Sequence, residues 1–198
     1  IVVDDGSTDD TAKLAAIAGA RVIRLEANSG YVAAIKRGFA EAKGDIVVTI
    51  DADGELPPEA IPILVAPIQR GEADIVQGAR NAIPRLSERI LNWLANRAVP
   101  VGDSGTGLRA MRTDLARQLE IHGACICGIL ALEATWRGAR IANVPIQLEN
   151  VAKPRHIAWY HLRQFFYLLP WLIRQRHAAR NDADQAVGRN YQVEGWRK

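Results

Sequence analysis

Residues 47–53 read Val-Val-Thr-Ile-Asp-Ala-Asp, an apolar β-branched run that stops on two carboxylates one residue apart. Side chains of this kind fit a pleated, buried surface, so the run predicts a buried strand. A strand that ends on Asp-x-Asp delivers both acids to the carboxyl edge of its sheet, where open α/β sheets bind ligands. Two hard oxygen donors fixed there, Asp51 and Asp53, suit Mg²⁺ or Mn²⁺, and such an ion can hold a diphosphate. The same three residues also occur in plain solvated turns. The rest of the chain has to decide between the two.

The pattern around this run is alternating. Strands are expected at Ile1–Val3, Arg21–Leu25, Asp45–Ile50, Ala73–Gln77 and Ile141–Pro145. Between them, Ser7 or Thr8 can cap a helix over Asp9–Ala18, and Asn28 or Ser29 opens one that runs through Ala42 and ends at Gly44. Pro57-Pro58-Glu59 starts another, Leu86–Ala98 has amphipathic helical spacing, and Ile129–Arg137 is a further helical run. Strands alternating with helices give an α/β fold: a Rossmann-like, mostly parallel sheet with helices on both faces. With 198 residues the chain can bury one substantial core. Trp93 and Trp136 stand among apolar residues at helical spacing and are expected in that core, Glu133 reads as a structural or solvated charge, and His122 as a loop residue.

Net charge is +3, but it is unevenly placed. The segment 151–180 holds six Lys or Arg, three His and no acid, so the remainder is mildly acidic. A basic tail on an acidic domain is not a nucleic-acid signature, whatever the pI. Cys125 and Cys127 have the wrong spacing for a redox pair, and no second Cys/His pair completes a zinc set, so two buried thiols are expected. The longest apolar run, Phe165–Ile173, is too short to span a bilayer. The chain opens inside a strand without Met, as expected of a fragment lacking its own N-terminus.

Asp4-Asp5-Gly6-Ser7 ends the first strand as Asp51-Ala52-Asp53 ends the third. In a parallel sheet both ends reach one edge, so the two acidic clusters are expected to face one cleft. Asp5 is assigned to that site; Ser7 is assigned to the turn and cap.

The series Val2-Val3-Asp4-Asp5-Gly6-Ser7-Thr8-Asp9-Asp10-Thr11, Asn28-Ser29-Gly30 and Asp51-Ala52-Asp53-Gly54 resembles the nucleotide-sugar domain of family-2 glycosyltransferases. Gly78-Ala79-Arg80, Asp103-Ser104-Gly105-Thr106-Gly107-Leu108-Arg109 and the Gly138 to Pro145 stretch are similar to its dolichol- or polyprenyl-phosphate sugar transferase branch. The resemblance covers about residues 1–160. It implies a GT-A fold over 1–150 that binds a nucleotide-diphosphate sugar, of GDP-mannose or UDP-glucose type, and Mg²⁺ or Mn²⁺. By position, Val3 and Asp5 would contact the base or ribose. Asp51, Ala52, Asp53 and Glu55 would form the donor and metal site, with Asp51 and Asp53 as metal ligands and Asp53 the more direct of the two. Arg80 would approach the diphosphate or the sugar, and Asp103 and Arg109 would lie near the donor sugar or the acceptor phosphate. The implied reaction moves a hexose, with inversion, to a polyprenyl or dolichyl phosphate. A phosphate acceptor needs no strong base; a sugar-hydroxyl acceptor, the rival reading, would need one, and Asp103 is the candidate. A non-catalytic nucleotide-sugar-binding fragment is the reading from another class. No Gly-rich loop with a lysine suggests a nucleotidyltransferase.

In segment 151–180, Leu162, Phe165, Phe166, Leu169, Leu172 and Ile173 share one helical face, while Arg163, Tyr167 and Arg174 lie away from it. With Trp159, Tyr160 and Trp171 this describes a basic, aromatic amphipathic helix suited to a membrane–water interface, kinked at Pro170. Packing on its own domain, on a partner membrane subunit or in a homo-oligomer is the alternative. Lys153 and Arg155 join Arg109 as candidates for the acceptor phosphate. The implied location is the cytoplasmic face of a membrane, and 181–198 reads as a polar tail. Two departures from the family stand out. Its first strand, with a Pro-x-Tyr/Phe-Asn-Glu run, is expected to be missing here. Its Gly-x-Ser-Lys after the Val-Pro strand is replaced by Val151-Ala152-Lys153-Pro154-Arg155.

Overall fold

Strand β1 (Val2–Asp4), helix α1 (Thr11–Ile17), strand β2 (Val22–Arg24), helix α2 (Tyr31–Glu41) and strand β3 (Ile46–Thr49) follow one another without interruption. A 3₁₀ turn (Pro58–Ala60) then leads into α3 (Ile61–Gln69), β4 (Ile75–Arg80) and α4 (Leu86–Ala98). The chain continues through β5 (Arg109–Arg112), α5 (Thr113–Gln118), α6 (Ile129–Trp136) and β6 (Ile141–Ile146). The computed structural model describes residues 1–81, 83, 85–98, 100–148, 161, 163–169 and 173.

β1 and β2 pair in parallel as a two-stranded sheet, and the other four form a sheet in the order β3-β5-β4-β6. β5 runs antiparallel to both β3 and β4, and β6 runs parallel to β4. Hence β3, β4 and β6 point the same way and β5 alone opposes them. The register lines up rows of side chains across the sheet. Val47, Met111, Ile75 and Ile141 form one row, and Val48, Ala110, Val76 and Ala142 form the next. Successive residues of a strand face opposite sides, so these rows belong to two different cores. The first row joins Leu91, Ala95, Ala116 and the buried run of α6. The second joins Leu56, Leu64 and Ile68 from the α3 side. Helices thus cover both faces, as the alternation predicted. One row further on, Thr49, Arg109, Gln77 and Asn143 replace the apolar residues. Arg109 and Gln77 in that polar row are themselves buried, and Leu108, Val144 and Ile146 beyond it still belong to the second core.

Several expectations need correction. β5 and α5 are absent from the sequence reading, although β5 is the middle of the sheet. β3 was expected to be buried; it is half-buried, because it is the edge of its sheet among the described residues. Neither Ser7 nor Thr8 caps α1: Asp9 accepts the Thr11 N–H at 3.0 Å and the Thr11 hydroxyl at 2.5 Å. Trp93 and Trp136 lie on the exposed faces of their helices, and Arg97 stacks over the Trp93 ring 4.7 Å from its centroid. Glu133 is structural: its carboxylate is buried and accepts the backbone N–H groups of Glu120 (2.7 Å) and Ile121 (3.0 Å), closing the turn before α6.

Residues 163–169 are helical, but the expected single apolar face is divided. Leu168 is buried in the first core with Phe165 packed beside it, whereas Phe166, Leu169 and Ile173 are exposed. Packing on the protein's own domain therefore accounts for the inner face. Gln164 fixes that packing, its buried side-chain oxygen accepting the N–H groups of Ala124 (3.0 Å) and Cys125 (3.1 Å). Lys153, Arg155, Trp159, Tyr160, Leu162, Pro170, Trp171, Leu172, Arg174 and the tail lie outside the described residues. No helix among the described residues is long and apolar enough to cross a membrane.

Candidate functional site

The carboxyl ends of β1 and β3 open onto one cleft of about 860 Å³, a volume within the usual range for small-molecule sites. Asp5, Asp51, Ala52, Asp53, Glu55 and Arg80 all line it. Both acidic turns reach this cleft, although β1 and β3 belong to different sheets and not, as expected, to one parallel sheet. Val3, Asp103 and Arg109 are not among the residues that line it.

Asp5 does two things at once. Its carboxylate accepts the N–H groups of Ser29 (2.7 Å) and Gly30 (2.8 Å), so the end of β1 is tied to the start of α2. Neither Asn28 nor Ser29 caps that helix with its own side chain. Gly30 stands at the cap with φ +91°, a conformation open to glycine, and Asp5 reaches across to hold the turn. Asp53 folds its own turn, accepting the Glu55 N–H at 3.1 Å.

Asp51 is set deeper. The Tyr31 hydroxyl donates to it at 3.3 Å, and its carboxylate lies directly against the backbone of Gly107. A Cβ at Gly107 would overlap Asp51 Oδ2, so only glycine permits this approach. Burial raises the Asp51 pKa above the ordinary aspartate value; Arg109 opposes the rise, the Asp53 charge adds to it, and Tyr31 and Arg80 pull it down. Two neighbouring carboxylates, Asp51 and Asp53, are the donor set a hard divalent cation suits.

The loop from Gly102 to Leu108 is pinned by α4. Asn92 Oδ1 accepts the Ser104 N–H and hydroxyl, each at 2.8 Å, and Asn96 Oδ1 accepts the Gly102 N–H at 2.9 Å. Asp103 then turns toward β4 and clamps Arg80. It accepts from Arg80 Nε (2.7 Å), Nη2 (3.0 Å) and backbone N–H (3.1 Å). Glu88 takes Arg80 Nη1 at 3.1 Å. Asp103 is only 6% exposed. Burial works against its ionisation, but Arg80 outweighs it and holds the carboxyl below the ordinary range. Asp103 is therefore a positioning residue for Arg80, and its place behind Arg80 separates it from the base role considered for it.

Arg109 is 1% exposed. Its Nη2 donates to the Ser104 carbonyl at 2.9 Å, while Nε and Nη1 have no hydrogen-bond partner among the described residues. Its charge reaches Asp51 and Cys127, whose acidities it raises. It sets the potential of the cleft wall from behind.

A further group in the cleft was not anticipated. Cys125, Cys127 and His161 line the same cleft, with Arg163 and Tyr167 beside them. The thiols expected in the core are half-buried, and His161 is buried. Cys125 hydrogen-bonds to the Cys127 sulfur and, with His161 and Arg109, draws the Cys127 thiol below its ordinary range against the effect of burial. His161 Nδ1 meets Ser87 Oγ at 2.7 Å. Sequence reading missed this group because its third member comes from a distant helix that only the fold brings back.

The family model for glycosyl transferase family 2 matches residues 1–131. An undecaprenyl-phosphate 4-deoxy-4-formamido-L-arabinose transferase of Pseudomonas savastanoi pv. phaseolicola is 40% identical over 125 residues, which are 57% of this chain and 37% of that protein. The match thus spans well under half of that relative's length. Among solved structures, glucosyl-3-phosphoglycerate synthase of Mycobacterium tuberculosis in complex with phosphoglyceric acid has a TM-score of 0.68 at 26% identity, covering 88% of this chain and 68% of the other. The same enzyme with Mn²⁺, UDP-glucose and phosphoglyceric acid has a TM-score of 0.61 at 27% identity, covering 77% and 60%. With two-thirds of its length matched by the family model and its architecture shared with these enzymes, the chain belongs to glycosyl transferase family 2 and has the GT-A fold.

Proposed function

We propose that this domain transfers a glycosyl group from a nucleotide-diphosphate sugar to a polyprenyl phosphate at a membrane surface, with inversion. The observation that carries the reading is the convergence of Asp5, Asp51, Asp53 and Arg80 on one cleft at the carboxyl ends of β1, β3 and β4. The relative from Pseudomonas is named for undecaprenyl phosphate, and the mycobacterial neighbour was crystallised with Mn²⁺ and UDP-glucose. Both support the reading, and they make a UDP-sugar the first donor to test.

Asp51 and Asp53 are the residues to hold a divalent metal, which when bound would offset charge on the diphosphate. Arg80 presents a cation whose direction is fixed by Asp103 and Glu88, so it need not reorganise as charge builds on the departing diphosphate. In the reaction the bond from the sugar C1 to the diphosphate oxygen breaks, its electron pair leaving with the nucleoside diphosphate. An acceptor phosphate oxygen bonds to C1. That oxygen is already ionised near neutral pH and needs no strong base. The rival hydroxyl acceptor is disfavoured here because Asp103 is committed to Arg80. The cytoplasmic membrane face is the proposed location. The exposed Phe166, Leu169 and Ile173, next to the cleft-lining Arg163 and Tyr167, support membrane contact beside the site.

The test is calorimetric titration of UDP and GDP with and without Mn²⁺, followed by transfer to undecaprenyl phosphate in vesicles. Metal-dependent binding of one nucleotide, abolished in Asp53→Ala, is expected. Equal affinity in Asp53→Ala and the parent, with and without Mn²⁺, would remove the carboxylate pair from the donor site.

A further inference from the structure

Cys125 Sγ, Cys127 Sγ and one ring nitrogen of His161 lie within 4.8 Å of one another, and all three residues line the same cleft as the acidic turns. They come from two parts of the chain. The two cysteines sit in the loop before α6, and His161 lies three residues before Gln164, whose side chain docks its helix onto that same loop. Gln164 grips the backbone N–H of Cys125, so the contact that docks the helix also sets the distance between the imidazole and the sulfurs. His161 Nδ1 is engaged by Ser87 Oγ, leaving Nε2 as the nitrogen available to a ligand. A ring nitrogen held by an outer hydrogen-bond partner while the other faces the donors is the usual arrangement of metal-binding histidines.

We propose that Cys125, Cys127 and His161 form a zinc site, separate from the Asp51–Asp53 pair. Two sulfurs and one imidazole are a soft, nitrogen–sulfur donor set that selects Zn²⁺ over the hard cations suited to carboxylates. From bond lengths of about 2.3 Å to sulfur and 2.0–2.1 Å to nitrogen, donor atoms around tetrahedral zinc stand roughly 3.6–3.8 Å apart. The three atoms therefore need to close by at most about 1 Å. Among the described residues three protein donors come together, and all three line the cleft, so with these three the fourth position faces the cleft. There a water or an anionic oxygen of a bound molecule completes the coordination. Binding balances in protons: each thiol that ligates releases its proton to solvent as the Zn–S bond forms, and nothing is oxidised. The site stands apart from the donor reading and survives its failure.

The test uses the reduced full chain titrated with Co²⁺ as a spectroscopic stand-in, then with Zn²⁺. One equivalent of Co²⁺ is expected to give thiolate-to-metal charge-transfer absorption and the intense visible bands of a tetrahedral ion, both erased by one equivalent of Zn²⁺. The bands should persist in Asp53→Ala and vanish in Cys125→Ser/Cys127→Ser. Ser87→Ala removes only the outer partner of His161, and should weaken Zn²⁺ binding about 10- to 100-fold with the circular dichroism unchanged. That variant keeps the proposal open to refutation if the double cysteine variant does not fold. No thiolate band at saturating Co²⁺ in the parent protein, or Zn²⁺ affinity unaltered in Ser87→Ala, overturns it.

Discussion

In the cleft a carboxylate lies against a residue with no side chain. Gly107 lets Asp51 lie against the β5-side loop, so Gly107→Ala forces the two apart or shifts the loop. We expect it to cost about 1–3 kcal/mol of stability, as overpacking does, and to weaken metal-dependent nucleotide binding; denaturant unfolding and calorimetry measure the two separately. Asp103 makes a second prediction. Its carboxyl titrates below the ordinary aspartate value of 3.8 in the folded chain. Its ionised form thus adds stability that is present above the unfolded pKa and is lost as pH falls through the lower folded value. Urea midpoints followed downward from about pH 5 should fall more steeply for the parent than for Asp103→Asn, which lacks that proton linkage. At this scale the sequence was readable where chemistry repeats in a short motif. Asp5, Asp51, Asp53 and Arg80 are found by motif and reach the cleft. Asp103 was found too, but its role was not, because a motif does not say which neighbour a carboxylate will spend itself on. Cys125, Cys127 and His161 carry no local pattern at all.

Elements were legible in proportion to their apolar patterning. β1 through β4 announce themselves by β-branched runs between turn residues. β5 does not: it reads Arg-Ala-Met-Arg, with a buried arginine at one end and an exposed one at the other. Its burial comes from strands on both sides, a tertiary fact that four residues cannot encode. The helical stretch 163–169 failed differently. Its apolar residues wrap around more than one face, and which of them turn inward was decided by Gln164, a polar residue that periodicity ignores. Gln164→Ala leaves the Ala124 and Cys125 N–H groups without their acceptor, and we expect a loss of about 1–3 kcal/mol. Hydrogen exchange should locate that loss: faster exchange at Ala124, Cys125 and residues 163–169 is expected, with the β4–β6 ladder unchanged.

The whole molecule presents two different surfaces around one cleft. One is the carboxylate side, built from the amino-terminal half. The other is the Cys125–His161 side, with exposed Phe166, Leu169 and Ile173 just outside it. If that outer face meets lipid, Phe166→Ser/Ile173→Ser should reduce co-sedimentation with anionic vesicles while nucleotide binding is unchanged. Equal co-sedimentation would place the membrane contact elsewhere. The antiparallel middle strand has a consequence for how such a molecule comes into being. β3 and β4 are made well before β5, yet neither has its sheet partner until β5 arrives between them. During synthesis both wait with open edges, the condition in which strands pair wrongly or aggregate. The residue that begins β5 is Arg109, and the loop that delivers it carries Gly107 and Asp103. Joining β3 to β4 and setting the residues behind the cleft wall are then a single late event, so a chain released before about that point would have neither a continuous sheet nor the loop that holds Arg80 in place.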